Sequence, residues 1–176
     1  MRLIMFGDKG RERPGLLREE KIVDLAEAFP GIPPIGDAFF EEGWPAKAAQ
    51  CNLPGEKMDV RLASPVLRPS KIICLGKNYA EHAKEGGFDN PASPLIFCKT
   101  PNTVNGPFDD ILTPQSSGQV DWEVELALVI GLRGKAIARA DALDYIAGFM
   151  VMNDVSGREA QFQDSQWFRG KAFDTF

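Results

Sequence analysis

Asp121-Trp122-Glu123-Val124-Glu125-Leu126-Ala127-Leu128-Val129-Ile130 is the stretch on which the fold turns. Trp, Val, Leu and Ile dominate it and neither Gly nor Pro interrupts it, so it reads as a β-strand. Side chains on a strand alternate between faces, which puts Asp121, Glu123 and Glu125 on one face and Trp122, Val124 and Leu126 on the other. From Ala127 the pattern is apolar on both faces, as for a strand entering a core. Three like charges beside a core are unfavourable unless a cation sits among them. A hard divalent metal would satisfy them, because such ions take several carboxylate oxygens. A solvated edge strand would satisfy them as well, and the stretch alone leaves both readings open.

Working outward, 176 residues suit one domain, or one domain with a small appendage. Hydrophobic residues make up 44% and charged residues 26%, which is a globular composition. The formal net charge is −5, with the charges scattered and no basic stripe, so nucleic acid is not an expected partner. One histidine excludes a His-rich metal site. No apolar run reaches the ~18 residues of a membrane span, and the first residues do not read as a signal peptide. Cys51, Cys74 and Cys98 are odd in number and widely spaced. They read as free buried thiols in a reducing, cytoplasmic setting.

Taken in order, residues 2–6, 15–17 and 21–25 read as strands of a meander. Asp24 is placed to cap a short helix over residues 25–29, with Glu27 completing a capping box. Residues 37–50 read as helix in pieces, broken at Gly43-Trp44-Pro45. A boundary is expected near 60–69, giving a small N-terminal domain (1–64) and a second domain (65–176). In the second, residues 71–76, 94–99 and 146–153 read as strands. Residues 78–85, 139–145 and 156–163 read as short helices, and 166–171 as a loop with a basic end. Mixed strands and short helices without regular βαβ units give an α+β class with a β-rich core.

Several positions suggest chemistry. Asp154 ends an apolar strand, where ligands are often placed, and could equally cap the helix that follows. With Glu123 and Glu125 it would complete a three-carboxylate site. Oxygen-only ligation suits Mg2+ or Mn2+, with Ca2+ an alternative. His82 is the one imidazole, and Glu85 three residues on shares its face if the segment is helical. That is a base with an orienting carboxylate, or a surface histidine with an incidental neighbour. Lys171, in a Gly-flanked loop, could approach an anionic ligand, and Gln161 could donate to it. Lys99 at a strand end is a third group of that kind. A solvated role is the alternative for each.

Gly76-Lys77-Asn78-Tyr79-Ala80-Glu81-His82, Asp121-Trp122-Glu123-Val124-Glu125-Leu126, Met152-Asn153-Asp154-Val155-Ser156-Gly157-Arg158-Glu159 and Gly170-Lys171-Ala172-Phe173-Asp174-Thr175-Phe176 occur in this order. Together they resemble the fumarylacetoacetate hydrolase family, and within it the bacterial acylpyruvate-hydrolase-like branch. The resemblance implies a mixed β-roll catalytic domain behind a small N-terminal domain, a homodimer, and one Mg2+ or Mn2+. By position it implies Glu123, Glu125 and Asp154 as metal ligands and His82 with Glu85 as the water-activating dyad. It implies Lys171 as a catalytic cation and Gln161 as a contact to substrate oxygens; Lys99, from its place at a strand end and not from the resemblance, is a candidate substrate-binding group. Asp121 is expected to hold a neighbouring loop or backbone donor rather than metal. An upstream carboxylate ligand found in members acting in tyrosine breakdown has no counterpart here. The implied activity is hydrolysis of a C–C bond in an acylpyruvate-like or 2,4-diketo acid through an enolate. Decarboxylation or isomerisation of a related 2-oxo acid would use the same enolate. The family's chains run on past the match to Asp174-Thr175-Phe176, so the roll is expected to be incomplete within these residues, with exposed apolar sheet surface. A truncated chain that only binds metal or pairs with a partner is the non-catalytic alternative.

Overall fold

A computed structural model describes residues 1–79, 91–163 and 165–176. The chain forms two compact units, a mixture of β-ladders and short helices. One comprises Met1–Arg68, Asn105–Asp110 and Val124–Asn153, and the other Pro69–Val104, Ile111–Glu123 and Asp154–Phe176. The first break lies in the stretch expected to link two domains. Segments 105–110 and 124–153 nevertheless group with the N-terminal residues.

In the first unit, strands β1 (Leu3–Phe6), β2 (Arg13–Arg18), β3 (Lys21–Asp24) and β4 (Leu62–Ala63) form an antiparallel sheet in the order β3-β2-β1-β4. Helices α1 (Leu25–Ala28), α2 (Asp37–Glu41) and α3 (Trp44–Ala49) cover it. Asp24 caps α1 as expected, its carboxylate accepting from the Ala26 N–H at 2.9 Å. Gly43 breaks the helical stretch with φ of 72°, a left-handed conformation that glycine adopts at little cost. Trp44 and Pro45 do not extend that break; they open α3, where a proline's missing N–H is harmless. Met5, Leu16, Val23, Leu25, Phe39 and Ala48 are the heart of this core.

Arg61 ties the 105–110 segment to this sheet. Its guanidinium grips both Asp109 oxygens and also donates to Glu12 and the Gly7 carbonyl. The Arg61 hydrogen bonds, helped by the Gly106 N–H, pull the Asp109 carboxyl down from 3.8 to about 2, against the opposing effect of burial. A depressed carboxylate contributes stability that is present above its unfolded value and lost as pH falls through its folded value. Asp109→Asn is therefore expected to lower the urea midpoint at neutral pH. The gap to wild type should close between pH 3.8 and about 2. A gap that stays constant through that window would show that the Arg61–Asp109 pair contributes nothing.

The opening stretch departs from one continuous strand. It divides into β7 (Val120–Asp121) and β8 (Val124–Ile130), with Trp122 and Glu123 in neither. The cause is local and tertiary together: Asp121 Oδ1 accepts the Trp122 N–H at 2.9 Å, and the Glu123 carbonyl accepts the Asp154 N–H at 2.8 Å. Strand alternation consequently does not align Asp121, Glu123 and Glu125. β8 pairs antiparallel with β9 (Ile146–Asn153), which follows a 3-10 helix at Arg139–Tyr145. The expected burial of β8 on both faces is also corrected. Leu126, Leu128 and Ile130, with Phe149 and Val151 of β9, lie on an exposed face of this two-stranded ladder.

In the second unit, β5 (Ile72–Gly76) pairs antiparallel with β6 (Leu95–Lys99), and β7 with β10 (Ser156–Gly157). Ile73, Leu75 and Ile96 on the first of these ladders are exposed too, as expected for apolar sheet surface left uncovered. Helix α4 (Arg158–Phe162) follows β10 directly. Residues 168–171 form a helical turn, α5 (Phe168–Lys171), where a loop was expected. Gly170 makes this turn possible: a Cβ there would come within 2.6 Å of the Gln161 Cβ and the Gly157 carbonyl. Only a glycine lets α5 lie this close to α4. The three cysteines form no disulfide, and of the three expected to be buried Cys51 is, whereas Cys74 is half-buried and Cys98 exposed.

Candidate active site

The second unit holds a line of alternating charges. Lys99 closes β6 and Lys171 closes α5, and both are buried, with side chains 0% and 2% exposed. They converge on Asp154, the first residue after β9. Lys99 Nζ donates to Asp154 Oδ1 at 2.7 Å and Lys171 Nζ to Oδ2 at 2.8 Å. Lys99 also donates to the Val155 carbonyl at 3.0 Å. Lys171 Nζ lies 3.0 Å from Glu123 Oε1, and Arg158 Nη1 lies 2.5 Å from the same oxygen. Arg158 then closes on Asp121 through two hydrogen bonds of 2.9 and 2.7 Å. Three cations (Lys99, Lys171, Arg158) thus face three carboxylates (Asp154, Glu123, Asp121), and the set is neutral.

This neutrality makes the burial tolerable, since a buried charge is costly unless paired and hydrogen-bonded. The shifts of Lys99, Glu123 and Asp121 follow from burial and these contacts. Burial lowers the Lys99 pKa from 10.5 and the neighbouring Lys171 charge adds to this, while Asp154 opposes both. Burial works to raise the Glu123 carboxyl, but Lys171 and Arg158 outweigh it, and the net shift is downward. Arg158 hydrogen bonds hold Asp121 below its usual value. A neutral, hydrogen-bonding Lys99 is closer to hand here than on a protein surface.

Among the residues expected to carry chemistry, Glu123, Asp154, Lys99 and Lys171 are brought together. Gln161 lies on α4 with its carbonyl oxygen bound by Arg158 at 3.0 Å. Asp154 does not cap α4, whose N-cap is Gly157. Lys99 and Lys171 are buried rather than solvated. Glu125 is half-buried on β8, opposite Met152. Among the described residues no three Asp, Glu, His or Cys side chains gather closely enough to hold a metal ion. His82 and Glu85 lie outside the described residues. The donor chemistry still suits a hard cation: oxygens of Glu123 and Asp154 converge on one cationic point, the Lys171 ammonium. Arg158 carried no expected role. The available signal was its place three residues before Gln161, on one helix face.

Comparison with known proteins places this arrangement. The family model described as fumarylacetoacetate (FAA) hydrolase C-terminal matches residues 71–176. The chain belongs to the fumarylacetoacetate hydrolase family. It is 41% identical to an oxaloacetate tautomerase of Rattus norvegicus, named as mitochondrial, across 100% of this chain and 60% of that protein. Among solved structures it is similar to a fumarylacetoacetate hydrolase from Exiguobacterium antarcticum, with TM-score 0.83 and 32% identity over 100% of this chain and 63% of the other. It is also similar to a 5-carboxymethyl-2-hydroxymuconate delta-isomerase from Mycobacterium smegmatis, with TM-score 0.71 and 31% identity over 99% and 62% of the two chains. The chain therefore spans about 60% of the length of the curated relatives it matches. These members of the family are enzymes named as tautomerase, isomerase and hydrolase. Among the described residues no helix is long and apolar enough to cross a membrane.

Proposed function

We propose that this chain belongs to an enzyme that enolises a 2-oxo acid, interconverting its keto and enol forms. The observation that carries this is the pair of buried ammonium groups, Lys99 and Lys171, fixed on the two oxygens of Asp154. Cations held in place away from water stabilise developing negative charge without having to reorganise. An enolate oxygen beside the 2-oxo acid's own carboxylate is charge of that kind. Lys171 would hold the enolate oxygen and Gln161 would donate to an oxygen of the acid. His82, oriented by Glu85, would take the proton from the carbon next to the keto group and deliver it to the enolate oxygen to give the enol, and the reverse transfer from oxygen to carbon gives back the keto form. Glu123, Asp154 and Glu125 would hold one Mg2+ or Mn2+, with Ca2+ an alternative, and the ion when bound would polarise the acid's oxygens. The names of the tautomerase and isomerase relatives support this reading.

A second reading shares the enolate. The likeness to a fumarylacetoacetate hydrolase supports C–C hydrolysis of an acylpyruvate-like or 2,4-diketo acid. There His82 takes a proton from water and the resulting hydroxide adds to the distal carbonyl. The C–C bond then breaks, giving a carboxylic acid and the enolate of pyruvate, which is protonated at carbon. A homodimer is the proposed assembly for either reaction.

The two readings separate in one experiment. The protein is given enol oxaloacetate, followed by loss of enol absorbance, and in parallel an acylpyruvate panel, followed by pyruvate release. Each is run with Mg2+ and with EDTA. Metal-dependent enol loss without pyruvate release is the expected result. Pyruvate release from an acylpyruvate would move the conclusion to hydrolysis. Neither reaction, in protein that binds Mn2+, would favour a metal-binding or partner-pairing chain over both.

A further inference from the structure

Ser156 is fully buried, and its hydroxyl lies between the two residues on whose carboxylates Lys171 sits. β10 is short, but its backbone is firmly set. Ser156 stands opposite Asp121 in the β7–β10 ladder, and two residues further along the Asp154 N–H meets the Glu123 carbonyl at 2.8 Å. On the other side of Ser156 the Arg158 N–H meets the Gln119 carbonyl at 2.8 Å. Gly157 packs so closely on Ser117 that a Cβ there would lie 2.8 Å from the Ser117 hydroxyl. This register brings Ser156 diagonally across from Glu123, within reach of its side chain. The Ser156 Oγ is 3.1 Å from Glu123 Oε1 and 2.9 Å from the Asp154 carbonyl. Both oxygens are acceptors and a serine hydroxyl carries one proton, so the proton is shared between them in a three-centre bond. One hydroxyl therefore ties the side chain of Glu123 to the backbone of Asp154.

Lys171 and Arg158 reach the same Glu123 oxygen on long stems with several rotatable bonds, and holding them costs side-chain entropy. Ser156 reaches it from one carbon off a backbone held on both sides, so little freedom is left to lose. We propose that Ser156 is a positioning residue that holds the Glu123 carboxylate against Asp154, so that Glu123 Oε1 and Asp154 Oδ2 face one cation. It would keep Glu123 there when the Lys171 ammonium gives way to a divalent ion. That last step rests on Glu123 and Asp154 being metal ligands, whereas the tie between the two residues does not.

Two measurements test this. The first needs no metal. Ser156→Ala is expected to raise the unfolding equilibrium constant about tenfold, the worth of one hydrogen bond to a charged group. In a Glu123→Ala background the same substitution should raise it about threefold, since the bond to the Asp154 carbonyl is what is then lost. Equal effects in both backgrounds, measured by urea denaturation, would show that Ser156 does not hold Glu123 and would overturn the proposal. The second is calorimetric titration of the substrate-free protein with Mn2+. Ser156→Ala is expected to bind Mn2+ about tenfold more weakly than wild type, the usual cost of losing a group that orients a ligand. Ser156→Thr keeps the hydroxyl and should bind within about threefold of wild type. Unchanged affinity in Ser156→Ala, or a Thr variant as weak as the Ala one, would overturn the proposal. If wild type takes up no Mn2+, the metal reading falls, and the stability cycle still decides whether Ser156 ties Glu123 to Asp154.

Discussion

Asp154→Asn is expected to destabilise the folded chain by about 3–5 kcal/mol at neutral pH, the cost of breaking a buried ion pair from one side. Asparagine keeps the shape and one acceptor oxygen, so packing is not the issue. The loss is in charge. One of the two ammonium groups would keep the amide oxygen and the other would face the amide NH2, and neither would have the carboxylate charge that Lys99 and Lys171 now share. Lys99 already has a lowered pKa, because burial outweighs Asp154. Without Asp154 its proton leaves more readily still. The unfolded chain then binds more protons than the folded one at pH values between the folded value and 10.5, so stability rises with pH through that window. The deficit of Asp154→Asn relative to wild type should therefore narrow as pH is raised towards 10.5. Urea denaturation across that range measures it. Adding Lys99→Met to Asp154→Asn should recover part of the loss, since it removes the stranded charge and keeps an apolar stem of similar length. A loss under ~1 kcal/mol at neutral pH, the value of an exposed pair, would mean that these ammonium groups are effectively solvated.

How much of this was legible in the sequence depended on whether the cause was local. The N-terminal meander and the Asp24 cap were legible, because turns and caps are set by a few adjacent residues. β9 was legible because eight residues without a charge leave little else to form. The break between β7 and β8 was not. Val, Trp and Leu all favour strand, and what interrupts them is the Asp154 backbone arriving at the Glu123 carbonyl from a distant part of the chain. The same gap hid how the site's cations are held. Lys99 and Lys171 were legible as groups that could meet an anion, but their burial exists only because Asp154 and Glu123 meet them. Gly170 was the one local trace, since a glycine inside a basic turn implies close approach. The acidic half of the cluster was legible, because carboxylates next to apolar strands demand an explanation. The sequence reading explained them with a metal or with solvent, whereas three of the neutralising charges are side chains of the chain itself.

That difference gives the second large expected effect. The Lys171 ammonium occupies the point on which Glu123 and Asp154 oxygens converge, 3.0 and 2.8 Å away. It is an internal competitor for any cation these carboxylates would take from solution. Lys171→Met keeps a stem able to pack near the Phe97 ring, whose centroid lies 5.1 Å from the ammonium, and removes the charge. Two consequences in opposite directions are expected. Enolisation should fall by about 10²–10³-fold, the usual cost of removing one group that stabilises developing charge. Affinity for Mn2+ in the absence of substrate should rise by at least about tenfold. Unit charges ~4 Å apart at an effective dielectric constant near 20 interact by roughly 4 kcal/mol, and only a part of this need survive to give that factor. Without metal the variant should be less stable than wild type, since Glu123 and Asp154 lose their shared cation, and Mn2+ should restore the difference. Calorimetric titration with Mn2+ and thermal unfolding with and without it check both. Slower enolisation with unchanged or weaker Mn2+ binding would separate Lys171 from the cation point and leave it a substrate contact alone. Tighter binding with slower turnover would show one ammonium serving two roles, filling the carboxylate pair in the resting protein and holding enolate charge once a metal has displaced it.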